Sequence, residues 1–375
     1  MGRAANFVLV VLFVTVISLP LAANLLGFDG ADPAAENREL AAFPHLGPSW
    51  PSIAGFGPGL SLWFEDHFGF RSLLVRCYGR SRLNLLGVSP SAAVVKGRDG
   101  WFFYADDRSI DDYANDEPLG ADGAANWREA ISRADRWLRG HGIAYVFTIA
   151  PDKYVVYPEH MPASIARTGR TSRTDQVYDA LRGSGVTTVD VRPALLEART
   201  RERLYQRTDT HWNDRGALVA YQQIIAAVRA RIPSTPAPWT CADFEPVTRE
   251  IDGMDLAGMM GLTRVLREQD LALVPRRPRL ARVVEPAGAG PTDELGRLVT
   301  EIPGARLPRA VILRDSFVSR LVPFLSEHFS RAVYLWQNDF DAEVVRTERP
   351  DVVIQEIVGR HLYGFIPSPE LVPGH

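Results

Sequence analysis

Two short motifs carry side chains of the types that serine acyl transfer requires. One is Asp209-Thr210-His211-Trp212-Asn213; the other is Asp315-Ser316-Phe317, directly after the apolar run Ala310-Val311-Ile312-Leu313. A serine hydroxyl is a poor nucleophile until an imidazole takes its proton. The imidazole in turn needs a carboxylate to fix its tautomer and stabilise its charge. Asp209, His211 and Ser316 supply those three groups as the candidate catalytic set. They lie far apart in the chain, so only a folded domain brings them together.

Each motif has a plainer alternative. Asp315 or Ser316, read alone, is a helix N-cap. Asp209 is readable as a solvated acid, with Asn213 capping the helix that follows. On an extended segment, however, residues two apart project to one side, which lets the Asp209 carboxylate approach one ring nitrogen of His211 while the other faces a serine. Asp and His also bind metals, but no third ligand stands at a diagnostic spacing, so no metal and no cofactor is expected.

The elements that would position these groups follow from the apolar pattern. Trp127, Ile131, Ala134 and Leu138 mark one face of a helix over Asn126–Gly140. Ile143–Ala150 then reads as a buried parallel strand ending in the polar loop Pro151-Asp152-Lys153-Tyr154. A short helix over Asp175–Arg182, a strand over Val186–Val191 and a helix over Leu218–Ile232 follow. Val311–Leu313, Ala332–Trp336 and Val352–Ile357 are further short strands. This alternation predicts a doubly wound parallel α/β domain, with Ser316 at the carboxyl end of its strand, where such folds place ligands. A helix starting near Phe317 would aim backbone N–H groups at a developing oxyanion. Val94–Tyr104 reads as a hairpin turning at Arg98-Asp99-Gly100. Residues 233–308, rich in Pro, Arg and Gly, read as an insertion of short strands and loops.

The N-terminus is a targeting segment. Phe7–Leu26 is a nearly unbroken apolar stretch, and a membrane-spanning helix needs roughly 20 such residues. Leu21-Ala22-Ala23 matches a signal-cleavage site poorly, so an anchor within residues 1–28 is favoured over a cleaved signal peptide. Arg3 before it and Asp29, Asp32 and Glu36 after it place the bulk of the chain outside the cytoplasm. Residues 29–59 read as a linker and 60–365 as the main domain. The net charge of −3 gives no reason to expect a nucleic-acid partner. Lys96 and Lys153 are the only lysines. Cys77 and Cys241 are open to a disulfide or to two free thiols.

Taken in order, the motifs resemble those of the AlgX/AlgJ family of polysaccharide (alginate-type) O-acetyltransferases, which carry an SGNH-hydrolase-like domain. The matching pieces are Phe64-Glu65-Asp66-His67-Phe68-Gly69-Phe70-Arg71, Gly87-Val88-Ser89-Pro90, Gly97–Tyr104, Ala150-Pro151-Asp152-Lys153 with Tyr157-Pro158-Glu159, Asp209–Asn213 and Pro350–Glu356. The resemblance implies an SGNH-like sheet in permuted motif order, the Asp-x-His pair preceding the serine. It also implies Ser316 as nucleophile, His211 as base and Asp209 as its partner. Arg314 stands where the family carries glycine, and arginine fits there if its φ is negative.

The implied activity is acetyl transfer, through an acyl-serine, onto hydroxyls of an exported polysaccharide. The implied partners are that polysaccharide, a membrane-bound O-acyltransferase that donates acetyl groups, and the inner membrane itself, with the domain facing the periplasm or cell exterior. Lys153, Tyr157, Trp212 and Asn338 are candidate substrate-binding residues, Asn338 as an oxyanion donor. Trp101, Trp212 and Trp336 offer aromatic faces for sugar rings, with ordinary core packing as the plainer reading, and Lys153 and Tyr157 read equally as ties of the strand-end loop. A carbohydrate esterase with the same triad and a non-catalytic polysaccharide-binding subunit are the alternatives.

Overall fold

Strands buried on both faces by helical layers run apolar without alternation, and three such segments form the centre of this chain. The computed structural model describes residues 3–26, 40–285 and 296–365. Asp29, Asp32 and Glu36, expected to follow the membrane helix, lie outside the described residues. The chain divides into two compact units, one drawn from residues 1–96 with 252–268 and the other from 97–251 with 269–375.

The strands are β1 (Val94–Lys96), β2 (Phe102–Tyr104), β3 (Ala144–Ala150), β4 (Thr187–Val189), β5 (Phe244–Asp252), β6 (Arg267–Pro275), β7 (Arg282–Glu285), β8 (Leu298–Glu301), β9 (Arg309–Arg314), β10 (Arg331–Trp336) and β11 (Val352–Val358). The main sheet has the order β4-β3-β11-β9-β10-β8-β7. Its first five strands are parallel, in register Phe147↔Gln355↔Leu313↔Leu335 through the centre. β8 joins β10, and β7 joins β8, antiparallel. The sheet is therefore mixed: the expected insertion gives its last two strands to the sheet edge, while β5 and β6 form a separate two-stranded ribbon.

The helix over Gly120–Gly140 buries the four residues its spacing selects, Trp127, Ile131, Ala134 and Leu138. They pack with Tyr145, Phe147 and Ile149 of β3 and with Val353 and Ile357 of β11. The helix over Asp214–Arg231 buries Leu218, Tyr221, Ile224, Ile225 and Val228. Because the central strands run parallel, their carboxyl ends share one edge. Ala150 pairs with Val358 and Arg314 with Trp336. The Asp152 loop, the Gly359 turn and Ser316 all leave the sheet at that edge.

The described residues up to Leu85 are mostly helical. Residues Ala4–Asn24 form a span long and apolar enough to cross a membrane, with mean hydropathy 2.4. Helices over Trp50–Asp66 and Arg71–Leu85 follow, so the expected linker is helical from Trp50 onward. Gly79 and Gly261 allow close packing: a Cβ on Gly79 would lie 2.8 Å from Leu262, and one on Gly261 would overlap Val75. Cys77 and Cys241 are both exposed free thiols.

Candidate active site

The loop bearing Asp209 and His211 is closed at its base. Tyr205 bridges to Trp212, and the Asn213 N–H donates to the Leu204 carbonyl at 2.8 Å. Asn213 also caps the following helix, its Oδ1 accepting from the N–H groups of Arg215 (3.0 Å) and Gly216 (3.1 Å). Glycine is required at 216 because a Cβ there would overlap the Leu204 carbonyl. The loop's carbonyls are gathered by one cation. Lys153 Nζ donates to Gln206 (3.1 Å), Arg207 (3.1 Å) and Asp209 (2.6 Å). The ammonium also sits 5.6 Å from the centre of the Trp101 ring and 5.2 Å from that of Phe103.

Within the loop, Asp209 Oδ1 accepts from the His211 backbone N–H at 3.0 Å and stands 2.8 Å from His211 Nδ1. His211 Nε2 stands 2.8 Å from Ser316 Oγ. The structure thus brings the three sequence-selected groups into one hydrogen-bonded chain. Thr210 Oγ1 adds a contact to Nδ1 at 3.0 Å. The Asp209 side chain is 6% exposed and that of His211 22%, so the acid is sealed while the ring keeps access to solvent. Burial alone would raise the Asp209 carboxyl, but the His211 ring, its hydrogen bonds and the Arg320 guanidinium outweigh it and hold the group down, at about 2.

Ser316 opens a 3-10 helix, Ser316–Arg320, that a second carboxylate holds in place. Asp315 Oδ1 accepts from the Phe317 N–H at 2.9 Å and Oδ2 from the Val358 N–H at 2.7 Å. Its own N–H donates to Glu356 Oε2 at 3.2 Å. The Phe317 N–H is therefore engaged by Asp315, which removes it from the oxyanion role expected of the helix start. Burial, and then the adjacent Asp315 charge, push the Glu356 carboxyl far above the usual range. Raised in this way, Glu356 is the member of the pair that holds its proton.

Arg314 does not strain the turn. It completes β9 opposite Trp336, and it is absent from the described non-glycine residues with positive φ. Its guanidinium lies 4.5 Å from the Trp336 ring centre and donates to the Asp315 carbonyl (3.2 Å) and Ser319 Oγ (2.9 Å). The arginine thus ties the turn on the side where glycine would leave it untied.

The residues expected to touch substrate are placed otherwise. Lys153, Tyr157 and Trp212 are all buried. Tyr157 Oη accepts from the Leu204 N–H at 2.9 Å, and Trp212 Nε1 donates to the Phe317 carbonyl at 3.0 Å. These side chains position the two loops and present no face to a sugar. Trp101 is likewise buried, stacked on His160 at 4.7 Å. The Asn338 carbonyl accepts from Gln355 Nε2 at 2.6 Å, and its side-chain oxygen is enclosed without a hydrogen-bond partner.

A buried ionic cluster beside the site was not singled out by the sequence. Asp152 holds Arg360 through the side chain at 2.5 Å and the backbone N–H at 3.0 Å. Asp112 accepts from Tyr154 at 2.8 Å and faces Arg173 at 3.7 Å. Burial, then the Asp152 charge, push the Asp112 carboxyl up to about 6. Pro151-Asp152-Lys153 at the end of β3 was the available signal, since a charged pair directly after a buried strand must find partners within the fold.

Comparison with known proteins places the chain in a family. The family described as "SGNH hydrolase-like domain, acetyltransferase AlgX" matches residues 94–339. A relative from Pseudomonas syringae pv. tomato, named "Probable alginate O-acetylase AlgJ", is 25% identical over 238 residues, covering 64% of this chain and 56% of that protein. The chain thus spans about half the length of that relative. Bacillus cereus PatB1, solved with a sulfonyl adduct, superposes with a TM-score of 0.52 at 15% identity, over 73% of this chain and 98% of that one. A DHHW family protein from Eubacterium siraeum gives 0.52 at 15% identity, over 72% and 92%. These two structures share the fold.

Proposed function

The chain belongs to the SGNH hydrolase-like acetyltransferase AlgX family, and we propose that it is an extracytoplasmic O-acetyltransferase acting on an exported polysaccharide. The observation that carries this reading is the continuous hydrogen-bonded chain Asp209–His211–Ser316, 2.8 Å at each link to the ring. Ser316 Oγ attacks the acetyl carbonyl carbon of a donor while His211 Nε2 takes the hydroxyl proton. The donor's leaving group departs with that proton, and acetyl-serine remains. A sugar hydroxyl then attacks the ester, passing its proton to His211. The serine oxygen leaves and recovers the proton. Asp209 holds the ring so that Nε2 faces the serine and stabilises the imidazolium formed in each half-reaction.

The N-terminal apolar helix supports anchoring in the inner membrane with the main unit outside the cytoplasm. Acetyl-CoA is a cytoplasmic donor, so the proposed source is a membrane-bound O-acyltransferase that hands acetyl groups across the bilayer. The test supplies p-nitrophenyl acetate with and without an alginate-type oligosaccharide. The expected result is an acetylated oligosaccharide by mass spectrometry, lost in Ser316→Ala. Serine-dependent release of free acetate alone, with acceptor in excess, would replace the transferase by an esterase.

A further inference from the structure

The helix over Arg71–Leu85 has two apolar faces, and the fold covers one of them. Gly79 and Leu83 are buried, and Leu262 packs against Gly79. A separate stripe at helical spacing, Leu74, Tyr78 and Leu85, is 52%, 55% and 80% exposed. The same helix carries Arg71, Arg76, Arg80 and Arg82 and no acid. Of the four arginines only Arg80 is exposed, so it is the apolar stripe, on a helix with no acid, that suits a bilayer's headgroup region.

The position of the helix points the same way. The apolar N-terminal span ends at Asn24, and the Asn24 carboxamide donates to the His67 carbonyl. A Cβ on Gly69 would overlap the Pro20 carbonyl, so the chain passes against the last turn of the span with no room for a side chain. Residues 67–69 are therefore fixed where the span leaves the membrane, and the Arg71 helix starts two residues later.

We infer that the Leu74–Tyr78–Leu85 stripe of this helix rests in the outer headgroup layer of the same membrane that the N-terminal helix spans. This rests on the anchor reading above. The stripe then gives the N-terminal unit a second attachment to the membrane beside the spanning helix.

Cys77 lies on this helix beside the stripe and is exposed, and Cys241 supplies a control in the other unit. The full-length chain with Cys241→Ser is labelled with a nitroxide at Cys77. It is reconstituted in vesicles of phosphatidylcholine with phosphatidylglycerol, and collision with oxygen is compared with collision with a water-soluble nickel chelate. The expected result is a label on the order of 5–10 Å into the headgroup–acyl boundary. A Cys241 label in the Cys77→Ser chain should stay in water. Leu74→Glu with Leu85→Glu should return the Cys77 label to water while the chain still floats with the vesicles. A Cys77 label that is water-exposed in a chain that floats overturns the inference and leaves the anchor intact. A label shielded from both quenchers also overturns it, in favour of a protein cover. A chain that does not float overturns the anchor and the inference together.

Discussion

The loop carrying Asp209 and His211 and the turn carrying Ser316 meet at a hydrogen bond of 2.8 Å, yet different forces hold them. The first hangs from a buried cation: Lys153 collects three carbonyls of the loop, and Asn213 pins its exit. The second hangs from a buried carboxylate, with Asp315 collecting the N–H groups of Phe317 and Val358. One support gathers acceptors and the other gathers donors. Trp212, whose indole donates to the Phe317 carbonyl, is the strut between them. A hydrogen-bond chain across two loops needs both to be rigid, because a misplacement on the order of 1 Å can cost about 100-fold in rate.

The largest effect separates the reacting groups from their supports. Ser316→Ala or His211→Ala should lower kcat by roughly 10⁵–10⁶-fold and Asp209→Ala by roughly 10⁴-fold. Thermal midpoints should stay within a few degrees of the parent. A comparable fall in midpoint would assign these residues to the fold.

Removing a support should do the reverse. Lys153→Met leaves three loop carbonyls without their donor and should cost about 3 kcal/mol in urea unfolding, with a fall in activity that follows the displaced Asp209 loop. Asp315→Ala should cost about 2 kcal/mol, since two buried backbone donors lose their acceptor. If either variant keeps full stability, that loop is held by something else.

The acids of the two regions respond to pH in opposite directions. The Asp209 carboxyl is depressed in the folded chain, to about 2. Its stabilising contribution is complete above the ordinary carboxyl pKa of about 3.9 and is lost as pH falls toward the folded value. Glu356 is raised by burial and by Asp315. The folded chain therefore holds a proton that the unfolded chain has released, and stability falls as pH climbs from the ordinary glutamate pKa toward the raised one. Thermal midpoints of Glu356→Gln against the parent should diverge as pH rises, with the variant the more stable. Parallel curves would show that Glu356 is ionised in the fold. The smallest effect is expected at Arg314→Gly, where the loss of the Trp336 contact should cost about 1 kcal/mol and leave kcat within a few-fold.

Much of this was legible in the sequence because it was local. The helix face of Trp127, Ile131, Ala134 and Leu138, the apolar strands and the two short motifs each declare themselves within a few residues. What escaped reading was non-local. Lys153 reads equally as a sugar contact or as a tie of the strand-end loop, and only the folded chain supplies the three carbonyls that decide for the second. Trp212 reads as core or as a sugar platform, and the Phe317 carbonyl opposite its indole settles it as core. β7 and β8 sit in a Pro- and Arg-rich stretch and become sheet edge only when β8 pairs with β10 and β7 with β8, in registers no local pattern encodes. The helix from Trp50 runs through Pro and Gly residues that read as linker. Pro51 is tolerated in its first turn, and tertiary context overrides propensity beyond it.

The central claim is that Ser316 carries the acetyl group, and peptide mass spectrometry tests it most directly. The full-length protein would be incubated with p-nitrophenyl acetate, quenched in acid and digested. The expected result is acetyl on the Ser316 peptide in the absence of acceptor, its loss on addition of oligosaccharide with matching acetylation of the sugar, and no label in His211→Ala. Acetylated sugar formed by a Ser316→Ala variant, with no acyl-enzyme in the parent, would contradict it.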